Sequence, residues 1–287
     1  GPLPVPAVKK PFVLHEWNWI CSLPDPAIIT RYEGLPTQAV QVPEMVAAAQ
    51  ASGIDDELTA MAQASQPLKY ALRKHALELA HAHPYVAGYH HWLIHDISYC
   101  PEGVFTEFRE EQSGMRAEAF RGYNDDTVLT LDELDQRTFT YGRPLPLGVQ
   151  AAHFGPVPLQ APALRWQVTR GGAVLAEGQR AVTPIRCGTR VSLGRLGLPR
   201  LAGATPAQVE LACELWEGGT RVTRNAWPLW LFPALPTVPL PAGVDTALPL
   251  PAGFRGAGQA YDRLVPRAAT RVFVTHRLTD GVGDPLE

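Results

Sequence analysis

The sequence predicts an α/β segment over residues 1–125 followed by an all-β sandwich of immunoglobulin-like type over residues 126–233. Three observations carry this. Up to about residue 125, two short apolar runs flank Ala-rich stretches with helical spacing. Beyond it that periodicity stops, and short β-rich runs recur between Gly and Pro punctuation. The 287 residues, 46% of them hydrophobic, suffice for two cores at ~100–200 residues per domain.

The apolar run at residues 11–14 ends at His15-Glu16, and an aromatic-rich run at 85–97 ends around His95-Asp96. Each has the pattern of a buried strand whose end carries polar groups. Between them, residues 43–50 and 55–63 are Ala-rich and helical, and Ser65 stands where it can cap a long helix to His81. Leu68, Leu72, His75 and Leu79 share one face of that helix. Strand, helices and strand make a βαβ unit, with parallel strands, a right-handed crossover, and chemistry expected at the C-terminal strand ends. The sandwich strands fall at 128–131, 145–153, 163–168, 174–179, 190–196, 208–216 and 221–232, about the seven that such a fold needs. Residues 234–287 are expected to hold a Pro/Gly-rich linker, at 235–258, and the start of a further domain with a strand at 270–275.

Composition excludes several functions. Lys plus Arg at 25 against Asp plus Glu at 28 leaves a net charge of -3. No basic footprint exists for nucleic acid. No apolar run approaches the ~20 residues that cross a bilayer, and no basic-then-apolar leader opens the chain. The expectation is a soluble protein without a membrane partner; cytoplasm, periplasm and exterior all fit. The start at Gly1-Pro2-Leu3 and the end at Leu286-Glu287, soon after the apolar run 272–274, suggest a piece cut from a longer polypeptide. Cys21, Cys100, Cys187 and Cys213 lack C-x-x-C spacing and are expected as four buried free thiols.

Glu16 stands at a strand end between His15 and Trp17, with Trp19 close behind. A carboxylate among aromatics suits a sugar ring stacked on an indole while the carboxylate reaches the anomeric carbon. It equally suits a structural salt bridge, and position alone leaves both open. His90, His91, His95 and Asp96 invite a metal reading, but strand alternation puts His91 and His95 on one side and His90 and Asp96 on the other. With no metal-ligand spacing present, hydrogen-bonding or substrate-contacting histidines are expected, and no metal or cofactor. Trp166, Trp216, Trp227 and Trp230 lie in the sandwich; Trp227 and Trp230, three apart, point one to the core and one to the rim.

Residues 10–17, K-P-F-V-L-H-E-W, resemble the seventh-strand segment of glycoside hydrolase family 2, the β-galactosidase, β-glucuronidase and β-mannosidase group. The resemblance continues through Ser65, Lys74 and Glu78, through G-Y-H-H-W-L-I-H-D at 88–96, E-A-F-R-G-Y-N-D-D-T-V at 118–128 and N-A-W-P-L-W-L-F-P at 225–233. It implies the C-terminal portion of a (β/α)8 TIM barrel followed by an immunoglobulin-like β-sandwich. It further implies a retaining O-glycosyl hydrolase that cleaves terminal β-glycosidic bonds of a carbohydrate substrate through a covalent intermediate on Glu16. His15, Trp17, Trp92, His95 and Asp96 would line the sugar site. The family's acid/base is a Glu after an Asn on the fourth barrel strand, and no Asn-Glu pair occurs in this sequence. The resemblance therefore implies a chain inactive alone, completed by the missing N-terminal part of the same enzyme or by another copy. Two other functions stay open: a non-catalytic carbohydrate-binding or scaffold fragment, and a metal-dependent hydrolase built on the His cluster.

Overall fold

Of the 287 residues, the computed structural model describes 10–97, 100–112, 115–133 and 135–234, with the backbone of four short strands beyond. The protein is mostly β-sheet, with few helices. The first apolar run forms β1 (Phe12–Trp17), and a short 3₁₀ turn follows at Pro26–Tyr32, where Asp25 caps by accepting from Ala27 N and Pro26 opens the helix. Helix α1 (Gln41–Ser52) stops at Gly53, whose φ of 68° ends the helix in the left-handed region at no side-chain cost. Helix α2 (Leu58–Ala82) leads to β2 (Val86–His91), which pairs with β1 in parallel, as a βαβ connection requires. That sheet has two strands among the described residues.

Two expectations about α2 change. The helical stretches predicted at 55–63 and 65–81 are one helix running through Pro67, so Ser65 is interior and caps nothing. Its hydroxyl donates to Ala62 O at 2.8 Å, the back-bonding open to a mid-helix Ser, and accepts from Leu23 N at 2.9 Å. The stripe Leu68, Leu72 and Leu79 faces outward, while Lys69, Arg73 and Glu78 are buried beside Leu58, Ala62 and Leu77.

After the short helix α3 (Ala117–Arg121) come β3 (Thr127–Leu131), β4 (Thr138–Thr140), β5 (Gly148–His153), β6 (Ala163–Arg170), β7 (Ala173–Ala181), β8 (Thr189–Arg195), β9 (Ala207–Glu217) and β10 (Thr220–Phe232). All seven predicted sandwich strands are present; β4 is additional. One sheet runs β3-β5-β8, antiparallel, and a larger one has the order β10-β9-β6-β7. In the first sheet every residue of β3 is buried, Leu129 and Leu131 with Val149 and Ala151 of β5, and in the second Leu164, Val168, Leu211 and Leu215 line the buried face. Gly171-Gly172 and Gly218-Gly219, all at positive φ, make the two-residue turns of β6–β7 and β9–β10, whose twist demands such φ at both centres. Trp227 is 1% exposed and Trp230 38%. Only Cys213 of the four free thiols is buried; Cys100 is half-buried, and Cys21 and Cys187 are exposed.

The chain divides into two compact units. The first comprises Gly1–Arg137, Pro144–Arg200 and Gln208–Trp230, and holds β1, β2, the helices and most of both sheets. The second comprises Thr138–Arg143, Leu201–Ala207 and Leu231–Glu287. Within it, Tyr141 N donates to Phe232 O at 2.9 Å, setting β4 beside the end of β10. Val238–Pro239 pairs in parallel with Phe254–Arg255, and Val244–Thr246 with Val272–Val274. The strand expected at 270–275 is thus found at Val272–Val274; the rest of the expected linker lies outside the described residues. Among the described residues no helix is long and apolar enough to cross a membrane.

Candidate active site

Parallel pairing brings the C-terminal ends of β1 and β2 to the same side. Leu14 pairs with Tyr89 and Trp17 with His91, so three steps on β1 match two on β2. The extra residue is a bulge, and Glu16 lies in it with φ 49°. Asn18 follows at φ 82°. Non-glycine residues in this region cost of order 1–3 kcal/mol each and cluster where a side chain must be aimed. Glu16 keeps 37% of its side chain exposed, and its nearest basic group is His15 Nδ1 at 4.0 Å, itself 74% exposed. Among the described residues Glu16 has no Lys or Arg partner, so it is not the carboxylate of a buried salt bridge.

The structure sorts the expected sugar-contacting residues. Trp17 points into the helix layer, its Nε1 donating to Ala76 O at 3.0 Å. Trp19, outside the predicted set, instead meets Trp92, with ring centroids 6.4 Å apart, and is 63% exposed. The Trp92–Leu93 peptide is cis. His15 packs edge-on against His90 at 5.5 Å. His91 lies against Phe120 with both ring nitrogens unpartnered, and burial, helped by Arg73, pushes its pKa down to about 4. Because β2 ends at His91, strand alternation does not extend to His95, whose Nδ1 meets Asp96 O at 2.8 Å. Among the described residues no group of three or more His, Cys, Asp or Glu is placed to hold a metal.

Asp96 is committed to the loop after β2. Its Oδ1 accepts from Gly103 N and its Oδ2 from Gln112 Nε2, both at 2.5 Å. Burial raises its pKa, with Lys69 opposing. Here the buried cations of α2 find their use: Lys69 donates to Gly103 O (3.3 Å) and Gln112 Oε1, and Arg73 to Gly103 O (3.2 Å) and Glu102 O. They satisfy carbonyls that a loop packed on a helix would otherwise leave orphaned. Burial brings Lys69 down to about 8. Arg31 forks onto Glu110 at 3.0 Å twice, and Tyr32 donates to Glu107, clipping the 3₁₀ turn to the same loop. A cavity of about 220 Å³ between them is lined by Ser22, Gln66, Asp96, Glu107 and Gln112 among others. A larger cleft of about 650 Å³ lies on the outer face of the big sheet, by Arg165, Glu177, Glu214 and Arg224. Neither includes Glu16.

Farther along α2, Glu78 is 1% exposed, and its Oε1 accepts from Lys74, Asn225 Nδ2 (2.7 Å) and Trp227 Nε1 (2.8 Å). Asn225 also donates to Leu129 O at 2.7 Å and accepts from Lys74 at 2.7 Å. One buried network therefore joins the helix to β3 and β10.

The domain of unknown function DUF8488 matches residues 144–233. No curated protein matches the chain. Among solved structures, an exo-chitosanase of Amycolatopsis orientalis is 12% identical with a TM-score of 0.42, covering 60% of this chain and 19% of its own. A β-D-mannosidase of Dictyoglomus thermophilum is 12% identical with a TM-score of 0.41, covering 75% of this chain and 27% of its own. A β-glucuronidase of Bacteroides uniformis is 15% identical with a TM-score of 0.22, covering 64% and 20%. The chain thus spans well under a third of the length of these structures.

Proposed function

We propose that this chain is part of a retaining glycoside hydrolase of the family 2 type, cleaving terminal β-glycosidic bonds with Glu16 as nucleophile. One observation carries the reading: Glu16, free of any Lys or Arg, sits in a bulge at positive φ at the C-terminal end of a strand in a parallel pair, the end at which barrel enzymes keep their chemistry. Its carboxylate attacks the anomeric carbon and forms a covalent glycosyl ester, which water then hydrolyses. Trp92, together with Trp19, stacks the sugar; His15 and His95 flank it; Trp17 and Asp96 hold strand and loop in place. The acid/base, a second carboxyl ~5–5.5 Å from Glu16, comes from the N-terminal part of the same enzyme or from another copy. In this reading residues 1–125 close a TIM barrel and 126–233 form the immunoglobulin-like domain, with 234–287 opening a further one. The uncovered β1, with Phe12 47% and Val13 45% exposed, fits a strand awaiting neighbours.

The test is nitrophenol release from β-galactoside, β-glucuronide and β-mannoside panels by the native protein, by this chain alone and by the native protein carrying Glu16→Gln. Activity is expected only in the native protein, falling by at least ~10²-fold in the variant with its fold retained. Undiminished activity in Glu16→Gln overturns the assignment, and absence of activity in the native protein on every glycoside favours a non-catalytic fragment.

A further inference from the structure

The cleft of about 650 Å³ on the outer face of the larger sheet does not include Glu16, yet its size falls within the ~300–1,000 Å³ of small-molecule sites. Strand register builds it. Arg165 of β6 stands opposite Gln179 of β7 on one side and Glu214 of β9 on the other; two residues on, Gln167 stands opposite Glu177 and Ala212. Leu164 and Val168, which alternate with them along β6, are fully buried, so Arg165 and Gln167 project outward. Arg224, on β10 beyond β9, completes the row. Three gaps of ~4.8 Å between the four strands make a face about 14 Å across, wider than one pyranose ring.

Much of this face is already held in place. Glu214 accepts from Trp216 Nε1 at 2.8 Å and from Arg221 at 3.3 Å, with Arg224 Nε at 3.8 Å. Gln167 donates to Glu177 at 3.4 Å, and the Arg165 guanidinium lies 4.4 Å over the Trp216 ring. Side chains held in this way lose little freedom when a ligand arrives. Among the described residues, however, Arg165 and Gln179 make no side-chain hydrogen bond or ion pair. A flat fork of donors and an amide therefore line the cleft side by side with their hydrogen-bonding capacity unused.

The lining selects the ligand by elimination. It is mostly polar, which gives an apolar ligand little to rest on. Glu177 and Glu214 repel an anion, and Arg165 and Arg224 repel a cation. A neutral ligand rich in both donors and acceptors is left, and every sugar hydroxyl is both. We propose that this face binds a neutral oligosaccharide of two or more pyranose units laid across β7, β6 and β9. Arg165 and Gln179 donate to its hydroxyls, and Glu177 and the Gln167 carbonyl accept from them. Arg165 covers the Trp216 ring, so hydrogen bonds and not stacking on that indole hold the sugar. The site stands whether or not the chain belongs to a glycosidase.

The experiment is isothermal titration of the full chain with cellotetraose, mannotetraose, galactotetraose and N-acetylchitotetraose, with tetragalacturonate and the glucosamine tetramer as charged controls. Saturable binding of at least one neutral tetramer is expected, unaltered by salt because the ligand has no charge to screen. Arg165→Ala should weaken it at least ~10-fold and Gln179→Ala ~3-fold, the charged donor counting for more than the neutral one. Both side chains are exposed, so neither change should move the melting temperature; should Arg165→Ala unfold, Gln179→Ala decides alone. Absence of saturable binding by every neutral tetramer overturns the proposal. So does binding that both variants leave intact, which would put the sugar elsewhere, as at Glu16. Tighter binding of either charged tetramer, lost in Arg165→Ala, overturns it as well. None of these outcomes depends on hydrolysis, so failure of the glycosidase reading leaves each of them readable.

Discussion

Glu78 shows what a single carboxylate can hold. It is fully enclosed and accepts from Lys74, Asn225 and Trp227, so its removal strips the half-buried Lys74 ammonium of its counter-charge and leaves the buried Trp227 Nε1 without its acceptor, while Lys74 keeps Asn225 Oδ1 and Asn225 keeps Leu129 O. Glu78→Ala should cost ~3–5 kcal/mol in urea unfolding, whereas Lys74→Met with Glu78→Leu should cost much less, since both charges vanish together. A loss below ~1 kcal/mol in Glu78→Ala would mean that water screens the pair. The histidines give a pH signature. His81 and His91 are held at about 4, largely by burial, with Arg190 and Arg73 adding repulsion. Their folded values lie below the ordinary 6.5, so the unfolded chain binds more protons between these limits. Stability is complete above that upper limit and falls as pH drops toward the lower one. The melting temperature should decline between about pH 7 and about pH 5, less steeply in His91→Phe; a flat profile over that range would contradict the buried neutral state. Glu16 was legible in the sequence as a carboxylate ending an apolar strand. Its bulge and positive φ were not, because the extra residue exists only relative to the register with β2.

At the scale of elements, the sandwich strands could be read as short β-rich runs set between Gly and Pro punctuation, and β9 and β10 also alternate buried with more exposed residues. The double-glycine turns announce two hairpins outright. Three-residue β4 carries no period to detect, and Ser65 misled because a hydroxyl serves a cap and a mid-helix back-bond alike. The outward Leu stripe and inward Lys69 and Arg73 of α2 invert the usual pattern; only the loop's carbonyls, brought in by the fold, explain why those cations are buried. Gly103 makes that approach possible. A Cβ there would lie 2.2 Å from Asp96 N and 2.6 Å from His95 Cα, backbone atoms that cannot rotate away. Gly103→Ala should cost ~1–3 kcal/mol and displace the loop that carries Asp96. An unchanged denaturation midpoint would show that the loop has room the structure does not reveal.

For the molecule as a whole, two strands in parallel with exposed Phe12 and Val13 do not make a self-sufficient sheet, and the outward Leu68, Leu72 and Leu79 add to the uncovered apolar surface. The network on Glu78 couples α2 to β3 and β10 of the sandwich. In the proposed reaction Glu16 forms a covalent bond to the sugar. The most direct measurement treats the native protein with 2-deoxy-2-fluoro-β-glycosides bearing a dinitrophenyl leaving group, chosen from the galacto, glucurono and manno series, and locates the adduct by peptide mass. One glycosyl ester is expected, on the peptide containing Glu16 and absent in Glu16→Gln. A glycosyl ester on a different carboxylate would contradict it.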